Sequence, residues 1–198
     1  MIKQWLCKSM LAASLAGLAA APALADWTLD DGQSSLHFVS VKNDAIAEAH
    51  YFEELSGGID ASGKATVEIE LASVESAIPI RNERMRDMLF NVAKMPTATI
   101  TADIDPELLE TLAPGELLLE EVALTVDLNG TSKSYPATLR ISVLEEGSFL
   151  AVTETPIMLN AADHGLDTGI EKLREVAGLN AIATAVPVTA ALVFREKE

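Results

Sequence analysis

Apolar and polar residues alternate along most of this chain, the period of a strand with one buried face. The cleanest stretch is 65–71. There Ala65, Val67, Ile69 and Leu71 lie on one side, and Thr66, Glu68 and Glu70 on the other. Ala98, Ile100, Ala102 and Ile104 alternate in the same way with Thr97, Thr99, Thr101 and Asp103. Segment 116–128 puts Leu118, Val122, Leu124, Val126 and Leu128 on one face. Asn129-Gly130 follows, a dipeptide that tolerates the positive φ of a type I′ turn and so predicts a hairpin. The returning strand carries Tyr135, Ala137, Leu139, Ile141 and Val143 in register, and 186–195 closes the pattern with Val186, Val188, Ala190, Leu192 and Phe194. Earlier, 27–29 reads as a short first strand, 34–42 as a strand apolar on both faces, and 46–60 as one strand bent at Gly57-Gly58. Segment 149–157 reads as one further strand, and 74–80 extends the strand at 65–71 or begins a new one. About eight strands with hairpin connections predict an antiparallel barrel. A barrel of that size holds packed side chains or one small ligand.

Two stretches break the alternation. In 78–101, Met85, Met88, Leu89 and Val92 fall at i, i+3, i+4 and i+7, one stripe of a helix. Asn82 can cap its start and Pro96 forbids helix beyond its end. A short helix with a methionine-rich face, inserted between strands, predicts a lid or plug over the barrel interior. The second stretch is 170–177, where Ile170, Leu173 and Ala177 mark a buried side and Gly178 suits the left-handed residue after a helix. Segment 106–114 reads as a loop or one helical turn.

Composition adds the setting. Lys3 and Lys8 precede an apolar run over 10–21, and Ala23-Leu24-Ala25 is a cleavage signature, so residues 1–25 read as an export leader cut after Ala25. The run is too short to span a bilayer, and no later segment is long enough. A single domain over 26–198 and export from the cytoplasm follow. The chain's one cysteine, Cys7, lies inside that leader, so the domain uses neither disulfides nor thiol chemistry. The formal charge is −16, and loss of the two leader lysines makes it more negative still. Nucleic acid, bound through Lys and Arg neutralising phosphates, is excluded as a partner, and stable membrane insertion is not expected.

The inventory of reactive groups is thin. The three histidines, His37, His50 and His164, show no zinc-ligand spacing, and no metal or other cofactor is expected. His50 beside Glu53 and Glu54 reads as a strand-surface histidine, and Asp163-His164 as part of a turn. No nucleophile elbow or phosphate-cradling glycine loop occurs, so no catalytic residue is assigned. The stripe on 78–101 has two readings: the plug of a dry core, or the wall of a cavity for an apolar ligand. Methionine suits the second, since its side chain adapts to irregular shapes. Few aromatics and many inward alanines leave little bulk to fill a wide barrel. Arg81, Arg84 and Arg86 also have two readings, local pairing with acidic neighbours or recognition of an anionic head group. Arg81 and Arg84 share a helix face at i, i+3, and Arg86 points elsewhere.

Order and spacing of these segments resemble the YceI-like proteins, exported bacterial proteins with an extended lipocalin-like barrel. The likeness runs through WTLDDGQSSLHFVSVKN, the insert NERMRDMLFNVAKMP, the hairpin LEEVALTVDLNGTSKSYPATLRI, and the end GLDTGIEKLREVAGL with VPVTAALVF. Met88 stands where other members can carry histidine. The resemblance implies an all-β, eight-stranded antiparallel barrel with two short inserted helices, binding a long apolar chain such as a polyisoprenoid or fatty-acid derivative. The candidate wall or mouth comprises Phe38, Phe52 and Phe90 with Ile80, Met85, Met88, Leu89 and Met95. Arg81 and Arg84 are the head-group candidates. The leading expectation is a periplasmic carrier for an amphiphilic lipid and not an enzyme, with a homodimer left open. The rivals are a barrel enzyme acting on a small apolar substrate and a ligand-free, stress-related interaction protein.

Overall fold

The computed structural model describes residues 25–145 and 147–197. The expected leader falls on residues 1–24, outside that range, and on Ala25, the first residue of β1. The strands are β1 (Ala25–Leu29), β2 (Ser35–Lys42), β3 (Ile46–Phe52), β4 (Leu55–Asp60), β5 (Lys64–Glu70), β6 (Val74–Glu75), β7 (Thr97–Asp103), β8 (Leu117–Leu128), β9 (Thr131–Glu145), β10 (Ser148–Thr153), β11 (Ile157–Asn160) and β12 (Ala185–Glu196). All pairings are antiparallel, and the order β1-β4-β5-β7-β8-β9-β10-β12 closes on itself where Leu29 meets Phe194. This is the eight-stranded barrel that the alternation predicts. Beyond one end of the ring, β2 and β3 pair with each other and β2 continues along β12, with Leu36 opposite Ala190.

Three expected strands are interrupted. Segment 46–60 is β3 and β4, broken at Glu53-Glu54, whose backbone N–H groups both donate to Ser73 Oγ at 3.1 Å. Segment 149–157 likewise splits into β10 and the start of β11. Alternation registers which face is buried and continues across a bend, so it cannot locate the break. Of 74–80, only Val74–Glu75 is strand. The Asn129-Gly130 turn forms as expected: both residues have positive φ, 53° and 72°, the type I′ requirement.

The first insert contains α1 (Pro79–Arg84), which runs directly into a π-helical turn, Met85–Phe90, ended by left-handed Asn91. Proline at the first turn sets the start. Asn82 is no cap: it is buried inside α1, donates to Glu75 Oε2 at 2.8 Å and accepts from Ser76 Oγ. The π-turn also changes the inward stripe. Met85 and Phe90, five apart, are the buried pair, and Met88 is only partly covered. An α-helical template of three and four places Met88 inward; the wider turn rotates it aside and brings Phe90 in. A short α2 (Pro106–Thr111) precedes β8, and α3 (Asp167–Ala177) precedes β12. Gly178, at φ 64°, ends α3 through its N–H to the Arg174 and Glu175 carbonyls. α3 lies directly on the π-turn at Gly169, where a Cβ would sit 2.7 Å from the Met88 carbonyl oxygen and 2.9 Å from Leu89 Cα.

Candidate functional site

Small inward residues leave the barrel hollow. Near one end, Trp27 meets Phe149 edge-on at 6.0 Å, and Phe149 stacks on Phe194 at 5.3 Å, forming an aromatic floor. Above it lies a deep cavity of about 80 Å³ bordered by Ile59, Val67, Ile141, Phe149 and Phe194. Four inward alanines, Ala65, Ala102, Ala151 and Ala190, also face it. A middle cavity of about 130 Å³ shares Leu36, Ile100, Leu124, Ile157 and Val188 with the deep one. A mouth cavity of about 290 Å³ shares Phe38, Leu89, Ile170 and Val186 with the middle one. Three spaces with common walls thus run from the aromatic floor toward the two helices, with Phe38 and Leu89 at the neck.

Polarity changes sharply along this line. The deep and middle walls are apolar except for Thr153 and His164. His164 is wholly buried, and both ring nitrogens are engaged. Nδ1–H donates to the Thr131 carbonyl at 3.1 Å, and Nε2 accepts from the Tyr135 hydroxyl at 2.9 Å. The expected turn at Asp163-His164 is present as the 3₁₀ turn Ala161–His164, and its histidine fastens that turn to β9. Burial pushes the Tyr135 hydroxyl pKa up, with Asp163 adding to the effect.

The mouth is charged. Glu48 accepts from Lys42 Nζ at 2.6 Å and from Arg81 Nη1 at 2.8 Å, and these partners hold its carboxyl below the usual range. Arg81 also donates through Nε to Ser76 Oγ at 2.9 Å, so much of its hydrogen-bonding capacity is spent. Arg84 lines the same cavity with no hydrogen bond or ion pair among the described residues. His50 corrects the reading of a surface histidine: it is 2% exposed and faces the mouth. One ring nitrogen, Nε2, lies 2.8 Å from Ser40 Oγ, and Nδ1 is buried without a partner among the described residues. Burial, then the positive charge of Arg81, pushes its pKa down and favours neutral imidazole.

The candidate residues are distributed accordingly. Phe52 and Phe90 line the middle cavity, Phe38 and Leu89 line both middle and mouth, and Met85, Arg81 and Arg84 line the mouth. Met88 borders none of the three spaces, and Ile80 and Met95 are exposed outside them. His50, Ser40, Lys42 and Glu48 were missed by the sequence reading. Their signal is the even-numbered alternation of β2 and β3, which puts them on the face of Leu36, Phe38 and Phe52. Ile170 and Leu173, read as buried helix residues, prove to be cavity wall. No cluster of metal-binding side chains occurs among the described residues. None of their helices is long and apolar enough to cross a membrane.

The chain matches the model of the YceI-like domain over residues 27–194. It is similar to a polyisoprenoid-binding domain from Saccharophagus degradans implicated in plant cell wall breakdown. That similarity has 38% identity and a TM-score of 0.86, covering 88% of this chain and all of that one. Burkholderia cenocepacia BcnA has the same fold at 17% identity and a TM-score of 0.60, covering 83% of this chain and 98% of that one. A Campylobacter jejuni YCEI protein also has it, at 19% identity and a TM-score of 0.55, covering 75% and 85%. No curated protein matches significantly.

Proposed function

The chain belongs to the YceI-like family, and from that premise we propose that it binds one long apolar chain along the barrel axis and carries it through the periplasm. The observation that carries this reading is the line of three wall-sharing cavities, apolar at the floor and charged only at the mouth. Each CH₂ withdrawn from water contributes about 0.8 kcal/mol, so a long chain is held without a single strong polar contact. A polyisoprenoid or fatty-acid derivative has the required shape, and the relative from Saccharophagus degradans, named for polyisoprenoid binding, supports that class. The tail reaches the aromatic floor and the head group stays at the mouth. There, uncommitted Arg84 supplies charge, Arg81 offers a second cation shared with Glu48, and the free His50 nitrogen meets the first polar atom of the ligand. The periplasmic setting rests on the export leader expected over residues 1–25.

Native mass spectrometry of the purified protein tests this. The expected result is one lipid-sized mass per chain, released by organic extraction. Leu89→Asp, at the neck, is expected to abolish most of that retention in a folded barrel, whereas Met88→Asp leaves it largely intact. A folded protein that carries no lipid and takes up none of an offered polyprenol or long-chain fatty acid overturns the reading.

A further inference from the structure

The charged mouth has an apolar border. Ile46, Ile78, Ile80 and Val176 are 48%, 43%, 52% and 44% exposed. Register places three of them next to cavity-lining residues. Ile46 belongs to the even-numbered face of β3 that carries Glu48 and His50. Ile80 lies four residues before Arg84 on α1, and Val176 three after Leu173 on α3. Glu48, His50, Arg84 and Leu173 all line the mouth. Each of these apolar side chains therefore stands just beyond the wall on its own element. The β2–β3 turn is tied to the segment after α3: Asn43 N–H donates to the Ala181 carbonyl at 2.9 Å, and Asn180 N–H donates to Asn43 Oδ1 at 2.8 Å. The border therefore joins Ile46 on the hairpin to the α3 side of the mouth.

Charge separates this end from the rest of the surface. The whole chain is strongly acidic, at −16. On the β2–β3 hairpin, α1 and α3, Lys42, Arg81, Arg84, Lys172 and Arg174 stand against Asp44, Glu48, Glu83, Asp167, Glu171 and Glu175, which leaves a net charge of −1. Most of the excess negative charge lies elsewhere. An anionic phosphate surface therefore repels the barrel in other orientations but not mouth-first, and Arg84 is free to meet a phosphate.

We propose that the border of the mouth docks reversibly on a phospholipid bilayer, so that the bound chain passes between membrane and barrel without crossing water. This rests on the lipid-binding reading above. Apolar side chains at the border enter the headgroup zone shallowly, and the modest area keeps the contact weak enough for release. Leu117 and Leu119, equally exposed on the outer face of β8, provide the comparison.

The test uses the full chain, loaded with a pyrene-labelled long-chain fatty acid and mixed with phosphatidylethanolamine–phosphatidylglycerol vesicles. Flotation of the unloaded protein with the same vesicles is measured in parallel. Docking predicts a transfer rate that rises with vesicle concentration. The triple variant Ile46→Ser, Ile80→Ser, Val176→Ser should transfer about tenfold more slowly or worse. It should still retain the probe in vesicle-free buffer as long as the parent does. Leu117→Ser with Leu119→Ser should transfer at the parental rate. Transfer independent of vesicle concentration, or a triple variant as fast as the parent, overturns docking and leaves lipid binding standing. Flotation without probe uptake does the reverse. Sedimentation showing a dimer that the triple variant dissolves assigns the border to a second copy of the chain and also overturns docking.

Discussion

His50 carries a pH signature that follows from its surroundings. Burial and the cations Arg81 and Lys42 disfavour its protonated form, with Glu48 opposing them, and the net effect lowers its pKa. The unfolded chain protonates this side chain at its ordinary value near 6.5, before the folded protein does. Below that pH the unfolded state binds the extra proton, so stability is lost as pH falls. Glu48, whose folded pKa is lowered, holds its own contribution until the carboxylate range is reached. Urea unfolding between pH 7 and 5 is therefore expected to show the parent losing stability faster than His50→Gln; parallel curves refute the assignment. Tyr135 makes a different kind of prediction. Tyr135→Phe leaves His164 Nε2 buried without its donor, at a cost of about 1–3 kcal/mol, measurable as a lower unfolding midpoint. The same change removes no wall from any of the three cavities, so lipid retention should survive it.

Among the elements, the contact of α3 with the π-turn does most to position the neck. Gly169 lets the two backbones approach, and Leu89 on the π-turn then reaches both the middle and mouth cavities. Gly169→Ala is expected to cost about 1–3 kcal/mol, because the methyl meets fixed backbone and not a yielding side-chain tip. It should also speed probe release by displacing Leu89. Thermal unfolding checks the first effect and stopped-flow release of a fluorescent fatty acid checks the second. The same elements mark what the sequence could tell. Alternation on β5, β7, β8 and β9 is strict because one face meets the barrel interior, so these strands and the Asn129-Gly130 turn were legible. The insert was legible as helical and as a cover, but its register was not. A single π-turn leaves no compositional mark, so an α-helical template brings Met88 in and leaves Phe90 unexplained. His50 was misplaced for a related reason. Its neighbours Glu48, Glu53 and Glu54 look like a solvated face, and the ion pairs that allow Glu48 beside the cavity come from Lys42 across the β2–β3 turn and from Arg81 on α1, 33 residues away.

For the whole molecule, a bound chain and the fold share one core. The deep and middle cavities are bordered by residues from β2 to β5 and β7 to β12, so a chain lying along the axis touches most of the barrel wall. Filling that line restores dispersion contacts that the inward alanines leave unmade. Ligand that binds only the folded barrel stabilises it by RT ln(1 + [L]/Kd), about 2.7 kcal/mol at a hundredfold excess over Kd. Extraction of the lipid should therefore lower the melting temperature without unfolding the barrel, because the aromatic floor and the closed hydrogen-bond ladder do not depend on it. Refilling with a polyprenol or long-chain fatty acid should raise it again, and longer chains should raise it more until the tail meets Phe149. Differential scanning calorimetry over a series of chain lengths measures this directly. A plateau marks the depth of the line of cavities, and no dependence on length would mean that the ligand does not lie along the axis. With Leu89→Asp at the neck the same series should produce almost no shift, because a carboxylate there must be desolvated by every chain that passes it.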